Sequence, residues 1–308
     1  MGRGKQLFTS EFVPEWCAIA GVAMLDVVWA AQIHLTFTAT GGSFLVLGLA
    51  LSLTVALRVL RLRRGGLMAE YFALTMAAST AICALSYLCL ASAGPLVDSR
   101  LMAMDRALGF DWLAGYRFVQ VHPMLSTILG FAYGSLVYQG LYFCLLLGLM
   151  NHKQRLRDMF WLFLMSGALA CTGTLLFPAL GPSKFYNIET STGFVPVMQQ
   201  LLSGRNLHFA LAHLTGVVSF PSFHTSMALA YAWAFRKTGI IGAAVAVLNL
   251  VMLCAVPFFG GHYLVDMIAG AAVMLASLAL VKTAPQLWKK ISAGYASPES
   301  AGAYGDAY

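Results

Sequence analysis

Charge is scarce in this chain. Of its 308 residues only 10% are Asp, Glu, Lys or Arg, against roughly a quarter in a soluble globular domain, which excludes a freely solvated fold. The small net charge of +7 does not point to nucleic acid either. Its basic residues cluster at the ends of apolar runs, not along one polar face. The six cysteines (Cys17, Cys83, Cys89, Cys144, Cys171, Cys254) all fall inside or at the edge of apolar runs, and no CxxC pair occurs. Neither a disulfide framework nor a thiolate zinc site is expected. The loops between the runs hold no cluster of carboxylates and histidines able to bind a metal, so no metal and no cofactor is expected. No small-residue cleavage site follows the first apolar run, which is therefore read as a retained helix and not as a signal peptide.

What the chain has in quantity is hydrophobicity: 59% of residues are apolar and the mean hydropathy is +0.76. Repeated apolar runs of about twenty residues read as an all-α, polytopic helical membrane protein. About eight spans are expected, near 13–37, 42–61, 69–93, 123–150, 159–178, 223–237, 239–257 and 263–281. The sixth and seventh are short. Small residues (Gly167, Ala168, Ala170, Gly173, Ala243, Ala244, Ala246) mark expected close helix packing. The segment 98–117 mixes Asp98, Arg100, Asp105, Arg106, Asp111 and Arg117 with apolar and aromatic residues, and reads as an interfacial helix lying on the bilayer. From about Ser292 the Gly/Ala/Ser/Pro-containing tail is expected to be disordered. The chain thus divides into N-terminal spans over 1–150, a core over 159–282 and a tail over 283–308.

Lys and Arg in the loops orient the spans. With the N-terminus inside, the inner segments hold Arg3, Lys5, Arg58, Arg61, Arg63, Arg64, Lys153, Arg155, Arg157, Arg236, Lys237, Lys282, Lys289 and Lys290. The outer segments hold only Arg100, Arg106, Arg117, Lys184 and Arg205. This arrangement puts two polar motifs and the loop 179–221 on the outer face together. The first motif is Ser219-Phe220-Pro221-Ser222-Phe223-His224-Thr225 and the second is Gly260-Gly261-His262-Tyr263-Leu264-Val265-Asp266.

Ser222 and Pro221 suit the start of a helix. The N–H groups of residues 222–224 are then expected to face a phosphate, as helix N-termini do, with His224 in the first turn moving protons. His262 and Asp266 are four residues apart, one helical turn, so the carboxylate can hold the imidazole tautomer. A structural His–Asp bond locking the last two spans is the alternative. Lys184 in Gly181-Pro182-Ser183-Lys184-Phe185-Tyr186 is the nearest cation, with Tyr186 beside it. Arg205, His208 and His213 lie in the same loop. Asp26 and His34, eight residues apart in the first span, share roughly one helix face and suggest a polar path through the membrane, the feature a transporter reading would use. No echo of the 219–266 motifs occurs in residues 1–150, so the internal repeat common in transporters is missing.

The two motifs resemble the Pro-Ser-Gly-His and His-x-x-x-Asp motifs of the type 2 phosphatidic acid phosphatase superfamily. The resemblance covers roughly 160–282, with further similarity at Asp105-Arg106-Ala107-Leu108-Gly109-Phe110-Asp111-Trp112 to a segment of many bacterial members. It implies that His262 is a nucleophile that becomes phosphorylated, Asp266 its partner and His224 the acid and base. Lys184, Ser222, Phe223 and Tyr186 would then surround the phosphate. It implies a lipid phosphate substrate in the bilayer; with the placement of Lys and Arg, which argues against a nucleic-acid partner, the expectation is a place in the bacterial inner membrane with both termini cytoplasmic and a periplasmic site. The chain departs from the pattern at Val256, where the family often has arginine, and at Phe223, where it has glycine. The first family motif is absent. These departures resemble the branch of inositol phosphorylceramide synthases, which implies headgroup transfer as the alternative to hydrolysis.

Overall fold

The structure, a computed structural model, describes residues 12–39, 41–188 and 194–295. Arg3 and Lys5, the loop residues 189–193 and the tail from 296 lie outside them. Among the described residues the chain forms α1 (Val13–Gln32), β1 (Thr36–Thr38), α2 (Leu45–Val59), α3 (Arg63–Ala91), α4 (Asp98–Ala107) and α5 (Trp112–Gln120). There follow α6 (Pro123–Leu149), α7 (Lys153–Leu176), α8 (Pro182–Phe185), α9 (Phe194–Ser203), β2 (His208–Ala210), α10 (Phe223–Ala234), α11 (Ile240–Phe259) and α12 (Leu264–Tyr295). Six of these helices are long and apolar enough to cross a membrane: α1, α3, α6, α7, α11 and the first part of α12. The second and sixth expected spans correspond to α2 and α10, of only 15 and 12 residues, short of the roughly 20 that cross a bilayer unaided. α10 is bounded sharply. Ser222 caps its start, and Lys237 and Gly239 take left-handed backbone just beyond its end.

α3 is the central post. In its apolar stretch 72% of residues are buried, against 22% for α1, and it packs on α1, α2, α6 and α7. The main core joins Leu74, Ile82, Leu147, Met159, Phe160 and Met227 from α3, α6, α7 and α10. Helices close in where side chains are missing. A Cβ on Gly167 would stand 2.7 Å from Ile82 Cγ2, and one on Gly173 would stand 2.1 Å from Pro221 Cδ. The expected packing role of Gly167, Ala170 and Gly173 agrees with these contacts and with the full burial of Ala170. Ala243, Ala244 and Ala246, however, are exposed, and on α11 it is Gly242 that is buried.

One end of the bundle is tied by ion pairs on the basic residues. Arg157 Nε reaches Glu15 at 2.7 Å, Arg58 reaches Glu70 at 3.0 Å, Lys282 pairs with Asp158, and Arg155 donates to the carbonyls of Ala234 and Arg236 at the end of α10. These contacts join the N-terminal parts of α1, α3 and α7 to the ends of α2 and α10 and to the middle of α12. The histidine motifs occupy the opposite end.

Three expectations are corrected. The first span does not continue to 37: α1 stops at Gln32, His34 adopts φ +55° in the following turn, and Thr36–Thr38 pairs in parallel with His208–Ala210. The alternation Thr-Phe-Thr is a strand pattern, with β-branched residues flanking an inward ring. Exposed His34 and buried Asp26 therefore do not share a helix face. The segment 98–117 is not one surface helix. It breaks at Gly109, φ +75°, and Asp111 caps α5 by accepting the Ala114 N–H at 3.0 Å. α4 turns Leu101, Met102 and Asp105 into the protein, against α8 and α12. Finally, α12 continues to Tyr295, past the point near Ser292 where a disordered tail was expected.

The contact of Gly173 with Pro221 makes a prediction. Gly173→Ala overpacks α7 against the turn that starts α10 and costs about 1–3 kcal/mol, lowering the unfolding temperature in detergent. Gly134→Ala, where a Cβ meets nothing within 4 Å, is neutral or slightly stabilising because alanine favours the helix. Paired thermal melts check both.

Candidate active site

Four segments meet at the end of the bundle opposite the ion pairs: the 179–185 turn after α7, the start of α10, the 260–263 turn after α11, and the start of α12. They fit because two glycines lack a side chain. Gly181 has φ +90°, and a Cβ on it would lie 2.2 Å from the Gly261 carbonyl oxygen. No other residue tolerates both that backbone and that approach. α10 and α12 approach equally closely, since a Cβ on Gly270 would lie 2.3 Å from the Ser222 carbonyl. Ser226 Oγ–H bonds the Gly270 carbonyl at 2.7 Å, and the Ser222 N–H bonds the Asp266 carbonyl at 3.0 Å.

That last bond changes the expected anion site. Of the N–H groups of residues 222–224, the one at Ser222 is already used. Ser222 Oγ accepts the Thr225 N–H at 3.3 Å as the helix cap. The amides of Phe223 and His224 are the ones left at this helix start. The Phe223 ring packs edge-on against Phe163 of α7, centroids 5.5 Å apart, so its side chain serves the core and only its backbone serves the site.

His262 is nearly fully buried and Asp266 fully so. His262 lies two residues before α12, outside the helix, and the turn at Gly261 (φ +63°) folds it back toward Asp266. Its Nδ1 stands 3.4 Å from Asp266 Oδ2, at the long end of a hydrogen bond. The same oxygen accepts the Tyr263 N–H at 2.8 Å, as an acidic residue in the first turn commonly does for the cap residue. Asp266 thus faces Nδ1 and leaves Nε2 as the free ring nitrogen. The His224 ring centroid is 6.2 Å from that of His262, at a tilt of 56°. The structure therefore brings together all three residues that the motifs single out.

The surrounding residues divide. Ser183, buried, lies against the 260–262 turn, its Oγ 3.6 Å from where a Cβ of Gly261 would be. Lys184 is exposed on the same short helix, α8. Tyr186 turns away: its ring stacks on fully buried Trp112 at 5.9 Å, and its hydroxyl meets Met102 Sδ at 3.6 Å. Arg205, His208 and His213 are exposed, with His208 in β2. Among the described residues no group of three or more His, Cys, Asp or Glu is arranged to hold a metal ion.

Sequence reading missed Tyr133 of α6. Its ring lies flat on His224, centroids 4.4 Å apart and planes within 12°, so the His224 imidazole is held by stacking. No local pattern in α6 signals this, because Tyr133 is one aromatic among many in an apolar helix. It also missed that Asp98 and Asp105, seven residues apart, share one face of α4 and reach the loops of the site. That spacing was visible but read as surface charge.

A buried histidine and a half-buried one facing each other across helix ends, the first with a carboxylate at one ring nitrogen, define a histidine-centred site. The chain matches the family model described as the PAP2 superfamily over residues 99–280, more than half its length, and it belongs to that superfamily. Members are generally phosphatases. The match begins at 99, so it takes in α4, α5 and α6 as well as the segment from 160. Comparison with curated proteins and with solved structures found no match.

The stacked pair makes a prediction. Tyr133→Phe keeps the ring face and leaves phosphatase turnover within about two-fold. Tyr133→Ala removes a contact worth about 0.5–1.5 kcal/mol, so turnover falls roughly 2- to 12-fold. Steady-state kinetics of the two variants check it.

Proposed function

We propose that this protein is an integral membrane enzyme that cleaves or transfers a lipid phosphate ester through a phosphohistidine on His262. The observation that carries this reading is the 6.2 Å approach of the His224 and His262 rings, with Asp266 at His262 Nδ1. An attacking atom needs to stand about 3–3.5 Å from its target, and a proton donor about 2.6–3.2 Å from the atom it serves. One phosphoester placed between the two rings can satisfy both.

In the first step His262 Nε2 attacks phosphorus. The N–P bond forms, the P–O bond to the lipid breaks, and protonated His224 gives its proton to the departing alkoxide. In the second step neutral His224 takes a proton from water or a hydroxyl acceptor. The acceptor oxygen attacks phosphorus, and the N–P bond breaks to restore His262. Asp266 balances the positive charge that His262 carries in between. In this reading the amides of Phe223 and His224, with Ser183 and Lys184, stabilise the equatorial oxygens, the kind of contribution in which losing one donor costs about 3–4 kcal/mol.

The basic residues at the opposite end support a cytoplasmic position for that end, and hence an outer-face site. A second reading, headgroup transfer to a hydroxyl, is favoured by one observation. Val256, where the family often has arginine, is fully buried in an apolar cluster with Ala132, Ala228 and Met252, so it supplies no cation for a dianionic monoester.

Turnover of a panel of phospholipids and isoprenoid phosphates in detergent, with EDTA present, tests the proposal. Wild type is expected to release phosphate or form a new phosphodiester lipid, His262→Ala neither. His224→Ala is expected to lose about 10²–10⁴-fold in rate. Denatured wild-type protein quenched during turnover of radiolabelled substrate should carry acid-labile label that His262→Ala lacks. Full activity in His262→Ala sinks the nucleophile assignment.

A further inference from the structure

α4 stands outside the two histidine motifs, yet it holds both of the turns on which they depend. Its first residue, Asp98, places Oδ1 on the N–H groups of Leu180 and Gly181, at 3.1 and 2.8 Å, and accepts the hydroxyl of Tyr263 at 3.0 Å. Two turns later on the same face, fully buried Asp105 receives the N–H of Leu264 on Oδ2 at 2.8 Å and that of Val265 on Oδ1 at 3.0 Å. These are the first two amides of α12, groups that have no partner within the helix. Asp98 therefore bridges the Gly181 turn to the residue after His262, and Asp105 fixes the helix start from which Asp266 projects.

We infer that α4 is a positioning clamp for the nucleophile: Asp105 and Asp98 set the placement of His262 against Asp266 and act on the chemical step without touching substrate. The inference rests on the function proposed above. The chemistry of Asp105 is specific. Each of its oxygens accepts a backbone N–H, an arrangement the ionised carboxylate, an acceptor at both oxygens, suits best. An asparagine would turn an amide NH₂ against one of the two N–H donors. Burial pushes the Asp105 carboxyl above the usual carboxylate range, and the two backbone N–H groups oppose that shift. Burial also raises the Tyr263 phenol, as does the neighbouring Asp98 charge, so Tyr263 stays a hydroxyl donor. Arg100 and Arg106 of α4 are both exposed. The two acids are thus distinguished from the helix's surface charge by where they point.

The slack in the His262–Asp266 contact explains why such a clamp matters. At 3.4 Å the pair does not hold itself, and the turn bearing His262 has Gly260 and Gly261 on its N-terminal side. Besides the Tyr263 N–H on Asp266, that turn is limited by the hydroxyl of Tyr263 on Asp98 and the amides of Leu264 and Val265 on Asp105.

The test compares wild type, Asp105→Asn, Asp105→Glu, Tyr263→Phe and His262→Ala on the best substrate from the lipid panel, with kcat, KM and melting temperature measured for each. Asp105→Asn is expected to lower kcat about 10- to 100-fold, the range seen when partners that orient reactive groups are removed, with KM within about two-fold. Asp105→Glu, which keeps two acceptor oxygens, is expected to recover part of that loss. Tyr263→Phe removes only the hydroxyl on Asp98, and a several-fold fall in kcat at unchanged KM is expected. It decides the matter if Asp105→Asn does not fold. Wild-type kcat in Asp105→Asn, or in Tyr263→Phe where that variant decides, overturns the inference. So does a loss that tracks the folded fraction in every variant, which leaves α4 a purely structural tie. Full activity in His262→Ala overturns the phosphohistidine reading instead, whatever the α4 variants do.

Discussion

A helix that begins inside a protein brings four backbone N–H groups without partners of its own, and at the start of α12 these groups are out of reach of water. Asp105 takes two of them, and Asp266 takes the amide of Tyr263 just before them. The need to satisfy these amides decides where α4 must sit, which in turn brings Asp98 to the turn at Gly181. It also fixes the register in which α12 meets α10, where the Ser222 amide and the Asp266 carbonyl are joined. The geometry around His262 is thus a by-product of backbone accounting: the side chains that complete the helix end are those that shape the site.

The two histidines are held in different ways, suited to the different tasks proposed for them. His262 is enclosed, with a carboxylate at one nitrogen and glycine-lined turns around it. Its neighbours restrict which nitrogen can react. His224 is less buried, begins a short helix, and lies against the face of Tyr133. Stacking fixes the plane of a ring but leaves both nitrogens free to exchange protons, which suits the proton-transfer role proposed for His224. α10 can be short because its work is at its first turn.

The site was legible where chemistry is carried by unusual residues in an apolar context. His224, His262 and Asp266 stand out because polar groups at membrane depth are costly, and their spacing from helix starts could be read directly. The family resemblance rested on those same residues. What could not be read was the direction in which a side chain points once both faces of a segment look alike. α4 has acids and arginines all around it, so its inward acids were taken as surface charge. Tyr186, next to Lys184, went to the aromatic stack on Trp112 instead. Phe223, inside the motif itself, went to the core. In the fold, the long spans were evident, whereas Thr36–Thr38 looked like the end of a helix because its strand partner is 172 residues away (36 paired with 208).

Glu15 adds a consequence for biogenesis. Its carboxylate is fully buried in α1, and its cation, Arg157, is 142 residues further along the chain. At a synthesis rate of about 5–20 residues per second, α1 is made on the order of 10 s before α7 carries that arginine into place. During that interval Glu15, the third residue of α1, is without the cation it pairs with in the folded protein. The ion pair that ties α1 to α7 can therefore form only once α7 has been made.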